Sequence, residues 1–167
     1  MNVGYQDVLR SISSSNPTPG GGSVSALILS HAHSLATMVS RFTIGRDKWS
    51  DGQNIAEKII SKSDENIETS LRLAKEDALA FDSVMNSYRL PKDTDELKRT
   101  RKEAIFDSTV KAANVPLEIM REASSLLDDI VDLAKFGNLN ALTDLLGSAE
   151  LAHTSCKIAS FNVRINL

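Results

Sequence analysis

The sequence predicts an all-α protein, a six-helix bundle built around one uncharged helix, and three observations lead there. Nowhere in the 167 residues do apolar and polar positions alternate for long enough to make a strand, whereas apolar residues recur at helical spacing along most of the chain. Aromatic residues make up 5%, so the core must be Leu, Ile, Val, Ala and Met, which suits closely packed helices better than a sandwich. Residues 23–40 carry no charge and are rich in Ser and Ala. A helix that is apolar or small all round belongs at the centre of a bundle.

The elements follow in order. A short first helix spans residues 3–12, with Tyr5, Val8, Leu9 and Ile12 on one stripe, and a loop over residues 13–22 ends it. The second helix spans residues 23–43. Its Ser and Ala positions let neighbouring backbones come close, and its buried serines can bond carbonyls one turn back. A long third helix spans residues 53–88, its buried side marked by Ile55, Ile59, Ile60, Ile67, Leu71, Ala74, Ala78, Phe81 and Met85, until Leu90-Pro91 breaks the pattern. Asp93 or Thr94 opens a fourth helix, with Glu96 in its first turn, that runs to residue 114. Val115-Pro116 starts the fifth, since proline is tolerated in a first turn, and Gly137 ends it as a glycine cap after Lys135. The sixth spans residues 140–162. Its small residues Ala141, Gly147, Ser148, Ala152, Ser155 and Ala159 make it the natural neighbour of the second. No repeat or linker divides the chain, so residues 1–167 read as one domain.

Composition narrows the class. Net charge is −3 with acids and bases interspersed, which argues against nucleic acid as a main partner; the run Lys98-Arg99-Thr100-Arg101-Lys102 is flanked by Asp95, Glu96 and Glu103 and reads as a solvated helix face. Cys156 is the only cysteine, so no internal disulfide can form and a reducing compartment is expected. The N-terminal residues lack a basic-then-apolar targeting pattern. The uncharged segment holds five serines and two histidines, too polar a content to span a bilayer unaided, so the expectation is a cytoplasmic protein without membrane contact.

The most informative local feature is Asn16-Pro17-Thr18-Pro19-Gly20-Gly21-Gly22-Ser23. Two prolines block regular structure, three glycines leave room for another group against the backbone, and Ser23 is placed to cap the helix whose free N–H groups favour an anion. It is neither a P-loop nor a dinucleotide fingerprint, because the Gly-Lys-Ser/Thr ending and the strand before GxGxxG are both missing.

With these elements placed, the chain resembles the cyclodeaminase/cyclohydrolase family, the C-terminal domain of formiminotransferase-cyclodeaminase and its stand-alone relatives. Pro17-Thr18-Pro19-Gly20-Gly21-Gly22-Ser23 resembles the family's opening PTPGGGS, and Thr43-Ile44-Gly45-Arg46-Asp47-Lys48-Trp49 is similar to its T-x-G-K-x-K-Y. Asp77-Ala78-Leu79-Ala80-Phe81 resembles D-x-x-A-F, Leu90-Pro91-Lys92 resembles LPK, and Val115-Pro116-Leu117 resembles VPL. Gly137-Asn138-Leu139-Asn140-Ala141-Leu142-Thr143-Asp144 is similar to GN-x-N-x-x-SD, and Asn162-Val163-Arg164-Ile165-Asn166-Leu167 to a closing NV-x-INL. Each is common alone; seven in the family's order are specific. The resemblance implies an all-helical homodimer acting on tetrahydrofolate derivatives. One activity opens 5,10-methenyltetrahydrofolate with water to 10-formyltetrahydrofolate; the other closes 5-formiminotetrahydrofolate to the methenyl form and releases ammonia. The chain carries no formiminotransferase domain, so channelling between two domains is not expected within it.

The methenyl carbon is an amidinium-like cation. Adding water calls for a general base, typically a carboxylate, and breaking the bond to N5 calls for a proton donor; a carboxylate near the cation stabilises charge as well as moving protons, and no metal or redox cofactor is required. Asp144 is the first candidate, one turn into a helix of small and apolar residues; Asp77 is the second, and Asp82 ranks below because it points about 140° away from Asp77 on an ideal helix. Lys48 and Arg46 are placed to polarise a ring nitrogen or bind the folate's carboxylates, with Lys92 a weaker version of the same idea. Gly20, Gly21 and Gly22 would let the substrate approach the helix terminus at Ser23, and Asn138 and Asn140 would hydrogen-bond a pterin edge. His31 and His33 lie on different faces, and His153 with Cys156 supplies too few ligands, so no metal site is expected. His31 and His33 stand where the family has glycine or alanine, and Leu145-Leu146 follow Asp144 where it often has Ala-Gly. If those leucines face the pocket, they narrow it. The readings are therefore a methenyltetrahydrofolate cyclohydrolase, a cyclodeaminase, or a helical dimer that binds a folate or small anion without turnover.

Overall fold

The computed structural model describes residues 3–166. Among the described residues there are six α-helices, two short 3-10 turns and no strand. Helix α2 (Gly21–Thr43) runs through the middle, packed on one side by α6 (Leu142–Ile165) and on the others by α3 (Gln53–Ser61), α4 (Ser63–Tyr88) and α5 (Asp95–Phe136), while α1 (Val3–Ile12) lies at the outside. The all-α bundle with an uncharged centre is as the sequence predicts.

Small residues make this arrangement possible. Ala26, Leu29, Ala32, Ala36 and Val39 form the core strip of α2, and Ala152 and Ala159 of α6 are fully buried against the same core. Buried serines contribute bonds within and between helices. Ser25 donates to the carbonyl of Gly22 at 2.6 Å and Ser40 to that of Ala36 at 2.8 Å. From α6, Ser148 donates to the Ala32 carbonyl at 2.7 Å and Ser155 to the Ser25 carbonyl at 2.8 Å, so the two central helices are tied backbone to side chain where a larger residue would hold them apart.

Three boundaries differ from expectation. The predicted helix over residues 53–88 is broken at Lys62 (φ −105°, ψ 3°) into α3 and α4, so the chain re-aims there. The two helices expected to meet at Val115-Pro116 are instead one 42-residue helix with Pro116 inside. Proline removes one ladder bond. Burial of Ala112, Ala113, Pro116, Ile119 and Ala123 on one continuous face outweighs that loss. Helix α2 starts two residues early, at Gly21 with Gly20 as its cap, and no side chain caps it; Ser23 is turned inward instead. Elsewhere local signals hold. Leu97 N–H donates to Thr94 Oγ1 at 3.2 Å at the start of α5, and Gly137 ends that helix with its N–H on the Leu133 carbonyl at 2.7 Å. Gly137 takes extended backbone, so glycine is needed there for space: a Cβ would meet Leu133.

Candidate active site

The Pro/Gly loop, whose Thr18–Pro19 peptide is cis, delivers the chain to the N-terminus of α2. Opposite it stands Asp77, just past the middle of α4 and carried there by an unbroken helix from Ser63. The Ser23 hydroxyl donates to Asp77 Oδ2 at 2.9 Å. Gly22 makes that approach possible, since a Cβ on it would lie 2.6 Å from the Asp77 carboxyl carbon. Burial pushes the Asp77 carboxyl above its ordinary value, and the bond from Ser23 opposes this in part.

Asp77 faces a cavity of about 340 Å³ whose walls come from Gly20, Gly21 and Gly22, from Ala80, Phe81 and Val84 of α4, and from Asn162 and Asn166 at the end of α6. Asn162 donates its Nδ2 to the Ile158 carbonyl at 3.0 Å, which fixes the amide and leaves its oxygen available as an acceptor. The arrangement is a weakly acidic carboxyl, a glycine wall open to a flat group, an aromatic ring and two amides. It can move a proton at a polar, planar ligand.

The remaining sequence candidates gather elsewhere. Gly45, Arg46, Asp47, Lys48 and Trp49 share an open groove with Asn138 and Asn140 at the opposite end of α2. Gln53 holds this loop: it accepts from Gly45 N–H and donates to the Thr43 carbonyl, both at 3.0 Å. Gly45 has φ 69°, a conformation that favours glycine. Lys48 lies 4.7 Å from the Trp49 ring centre, a cation–π contact that leaves the ammonium exposed. Asn138 is partly structural, its Nδ2 donating to the Phe42 carbonyl at 2.9 Å and its Oδ1 accepting from Asn140 N–H at 3.0 Å.

Asp144 is half-buried in the first turn of α6, makes no side-chain hydrogen bond or ion pair among the described residues, and lines neither of these two spaces. Lys92 is exposed in the turn between α4 and α5. Asp82 is exposed beside Pro17 and Arg89, in a separate hollow. Leu145 is buried in the core and Leu146 is exposed, so neither narrows the Asp77 cavity. Sequence reasoning assigned no role to Asn162 and Asn166, although both lie in the closing motif it singled out. His33 is a buried core histidine, whereas His31 is exposed, its Nε2 3.3 Å from the Tyr5 hydroxyl. Among the described residues no group of three or more His, Cys, Asp or Glu is placed to hold a metal.

The family model described as formiminotransferase-cyclodeaminase matches residues 4–167. The chain belongs to that family. It is 33% identical over 165 residues to a methenyltetrahydrofolate cyclohydrolase of Methylorubrum extorquens, covering 99% of this chain and 79% of that protein. It is 32% identical over 167 residues to the formimidoyltransferase-cyclodeaminase of Rattus norvegicus, of which it spans 31%. Among solved structures, a formiminotetrahydrofolate cyclodeaminase from Thermotoga maritima matches 99% of this chain and 78% of that one, with a TM-score of 0.85 at 29% identity. The family model runs over both ends of α2, so the Asp77 cavity and the Lys48 groove both lie within the matched span.

Proposed function

We propose that this protein hydrolyses 5,10-methenyltetrahydrofolate to 10-formyltetrahydrofolate, with Asp77 as the group that moves protons. The observation that carries this reading is the Asp77 carboxyl itself: desolvated, oriented by Ser23, and set in the wall of a cavity lined by glycine backbone. A carboxyl shifted toward neutrality serves as base in one step and acid in the next. The cationic amidinium of the substrate draws it back to the ionised form on binding, because an opposite charge nearby favours the carboxylate.

The reaction then balances as follows. A water oxygen bonds to the methenyl carbon while one of its protons passes to Asp77. The neutral tetrahedral adduct collapses as its hydroxyl becomes a carbonyl and the carbon–N5 bond breaks. Asp77 returns its proton to N5, and the hydroxyl proton leaves to solvent. Asn162 and Asn166 offer hydrogen bonds to the pterin edge, and the Gly20–Gly21–Gly22 backbone forms the face against which it lies.

The groove of Arg46 and Lys48 supplies the complementary cations for the folate's carboxylates. Helix α2 has 23 residues, so the two sites stand roughly 33 Å apart along it. One folate cannot touch both within a single chain. A homodimer in which the partner's loop approaches the Asp77 cavity resolves this, and exposed apolar side chains at both ends support it: Phe42, Leu139 and Leu142 near one, Phe81, Phe161 and Ile165 near the other. In this reading the domain is residues 1–167 and the setting cytoplasmic. No described helix is long and apolar enough to cross a membrane.

The cyclodeaminase direction is the second reading, favoured by the likeness to the Thermotoga maritima cyclodeaminase. Asp77 would then protonate departing ammonia. Following methenyltetrahydrofolate loss and ammonia release in parallel separates the two; activity in neither assay would leave the binding-only alternative.

A further inference from the structure

Asp77, Phe81, Met85 and Arg89 recur at four-residue intervals, so they form one ridge along α4, each side chain about a turn beyond the last. Arg89 caps the helix, and its Nη1 donates to Asn86 Oδ1 at 3.1 Å, which draws the guanidinium back along the ridge. The backbones of Asp77 and Arg89 stand about 18 Å apart along the axis, and a reach of one turn back leaves roughly 13 Å between acid and guanidinium. Phe81 and Met85 fill that interval and are 39% and 37% exposed.

The ridge joins two cavities. A hollow of about 340 Å³, lined by Pro17, Phe81, Asp82, Met85, Asn86 and Arg89, adjoins the Asp77 cavity, and the two share Pro17 and Phe81 as walls. The Lys48 groove shares no wall with either. The substrate proposed above is a pterin joined through a benzoyl ring and an amide to a glutamate. With its pterin beside Asp77, the ring must leave past a wall of the same cavity. Pro17 and Phe81 are that wall on the side of the hollow, and a phenyl face is a surface on which an aromatic ring stacks. Met85, one turn on, offers a thioether to the ring edge.

The polar groups of the hollow follow in the order the tail needs. Asp82 borders its middle, where a carboxylate accepts from an amide N–H and repels another carboxylate. Arg89 lies at the far end. It makes no ion pair among the described residues, and apart from the bond to Asn86 its side-chain N–H groups have no partner there. A guanidinium held in place with free N–H groups suits a carboxylate.

We propose, resting on the folate reading, that this hollow receives the substrate's p-aminobenzoyl-glutamate tail, the ring against Pro17 and Phe81 and the glutamate α-carboxylate on Arg89. The γ-carboxylate extends beyond Arg89 and is left for the Arg46–Lys48 groove of a second copy. Arg89 contributes to binding and takes no part in the proton transfers.

The test measures by calorimetry the affinity of two ligands, 5-formyltetrahydrofolate and 5-formyltetrahydropteroyl amide, which keeps the benzoyl ring but has no glutamate. Both are titrated into the unaltered protein, Arg89→Gln, Arg89→Lys and Phe81→Leu. The expected result is that Arg89→Gln weakens the folate by about tenfold or more and leaves the amide unchanged, as for one lost charge-assisted bond. Arg89→Lys should recover part of the loss, and Phe81→Leu should weaken both ligands alike. In turnover of 5,10-methenyltetrahydrofolate, Arg89→Gln should raise KM by a similar factor at unchanged kcat. Arg89 is exposed, and an unchanged melting temperature identifies a folded variant. If Arg89→Gln weakens both ligands equally, or neither, the proposal is overturned. If neither ligand binds the unaltered protein, the folate reading itself fails and takes the proposal with it.

Discussion

Ser23 and Asp77, 54 residues apart in sequence, meet at 2.9 Å across the interface of α2 and α4, hydroxyl to carboxylate. The contact joins the glycine loop to a carboxyl that burial shifts upward. It also explains why α2 begins without a side-chain cap: the hydroxyl that the sequence offers for capping is engaged by Asp77.

Replacing Asp77 by Asn removes a proton carrier without removing volume. Burial disfavours the charged carboxyl, so its folded-state pKa lies above the unfolded value and the ionised group opposes folding at neutral pH. Asp77→Asn is expected to keep or raise the melting temperature while turnover falls by about 10²-fold or more. Calorimetry beside a steady-state assay checks both; a large loss of stability would mean that the charge is matched in the native state.

Ser23→Ala is expected to leave Asp77 in place with its carboxyl pushed further upward, because the bond that favours ionisation is gone. The acidic limb of activity reports this, because Asp77 must be ionised to take the proton of water. Its midpoint should move to higher pH in Ser23→Ala and stay put in Ser160→Ala, which loses only an exposed bond to the Lys157 carbonyl.

Neighbouring glycines should respond oppositely. A Cβ on Gly21 comes no nearer than 3.9 Å to Ile158 Cγ2, so Gly21→Ala is expected to be neutral or stabilising by about 0.4–1 kcal/mol. A Cβ on Gly22 would press on the Asp77 carboxyl, so Gly22→Ala is expected to destabilise by about 1–3 kcal/mol and to cost activity. Urea midpoints of the two variants decide it.

His33 gives the fold a pH dependence of definite sign. Its folded value of about 4 lies below the ordinary 6.5, so between them the unfolded chain binds more protons and stability falls as pH drops through that window. The shift corresponds to roughly 3 kcal/mol at most. Lys58, Lys62, Glu122 and Asp129 line the same cavity as the ring, and Asp129 moderates the effect. Urea midpoints across this range should fall for the unaltered protein and flatten in His33→Gln.

If the two ends of α2 form one site across a dimer, crippled variants should complement. Asp77→Asn and Lys48→Ala, each inactive alone, should recover about a quarter of the activity when mixed and allowed to exchange, because half the dimers then hold one intact site. No recovery, or a monomer by sedimentation at micromolar concentration, would place the whole site in one chain.

Much of the fold is legible in the sequence because it depends on local signals. The missing charges of residues 23–40, the Leu90-Pro91 stop, Thr94 as a cap and Gly137 as a terminus all act within a turn or two. The break at Lys62 is not legible, since Ile59, Ile60 and Ile67 carry an apolar stripe straight through it. Pro116 misleads for the opposite reason: its local preference is a helix start, and tertiary burial overrides it. The site divides in the same way. The glycine loop and Asp77 are visible as motifs, but their meeting is not. Asn162 and Asn166 take their meaning from where α6 ends, beside the loop that begins α2.

The most direct measurement follows the absorbance of 5,10-methenyltetrahydrofolate with purified protein, corrected for its spontaneous hydrolysis in buffer. The same assay is run on Asp77→Asn and Asp144→Asn. The account predicts acceleration by the unaltered protein, loss of about 10²-fold or more in Asp77→Asn, and turnover largely kept in Asp144→Asn. Failure to accelerate the reaction, or activity that survives in Asp77→Asn and vanishes in Asp144→Asn, would contradict it.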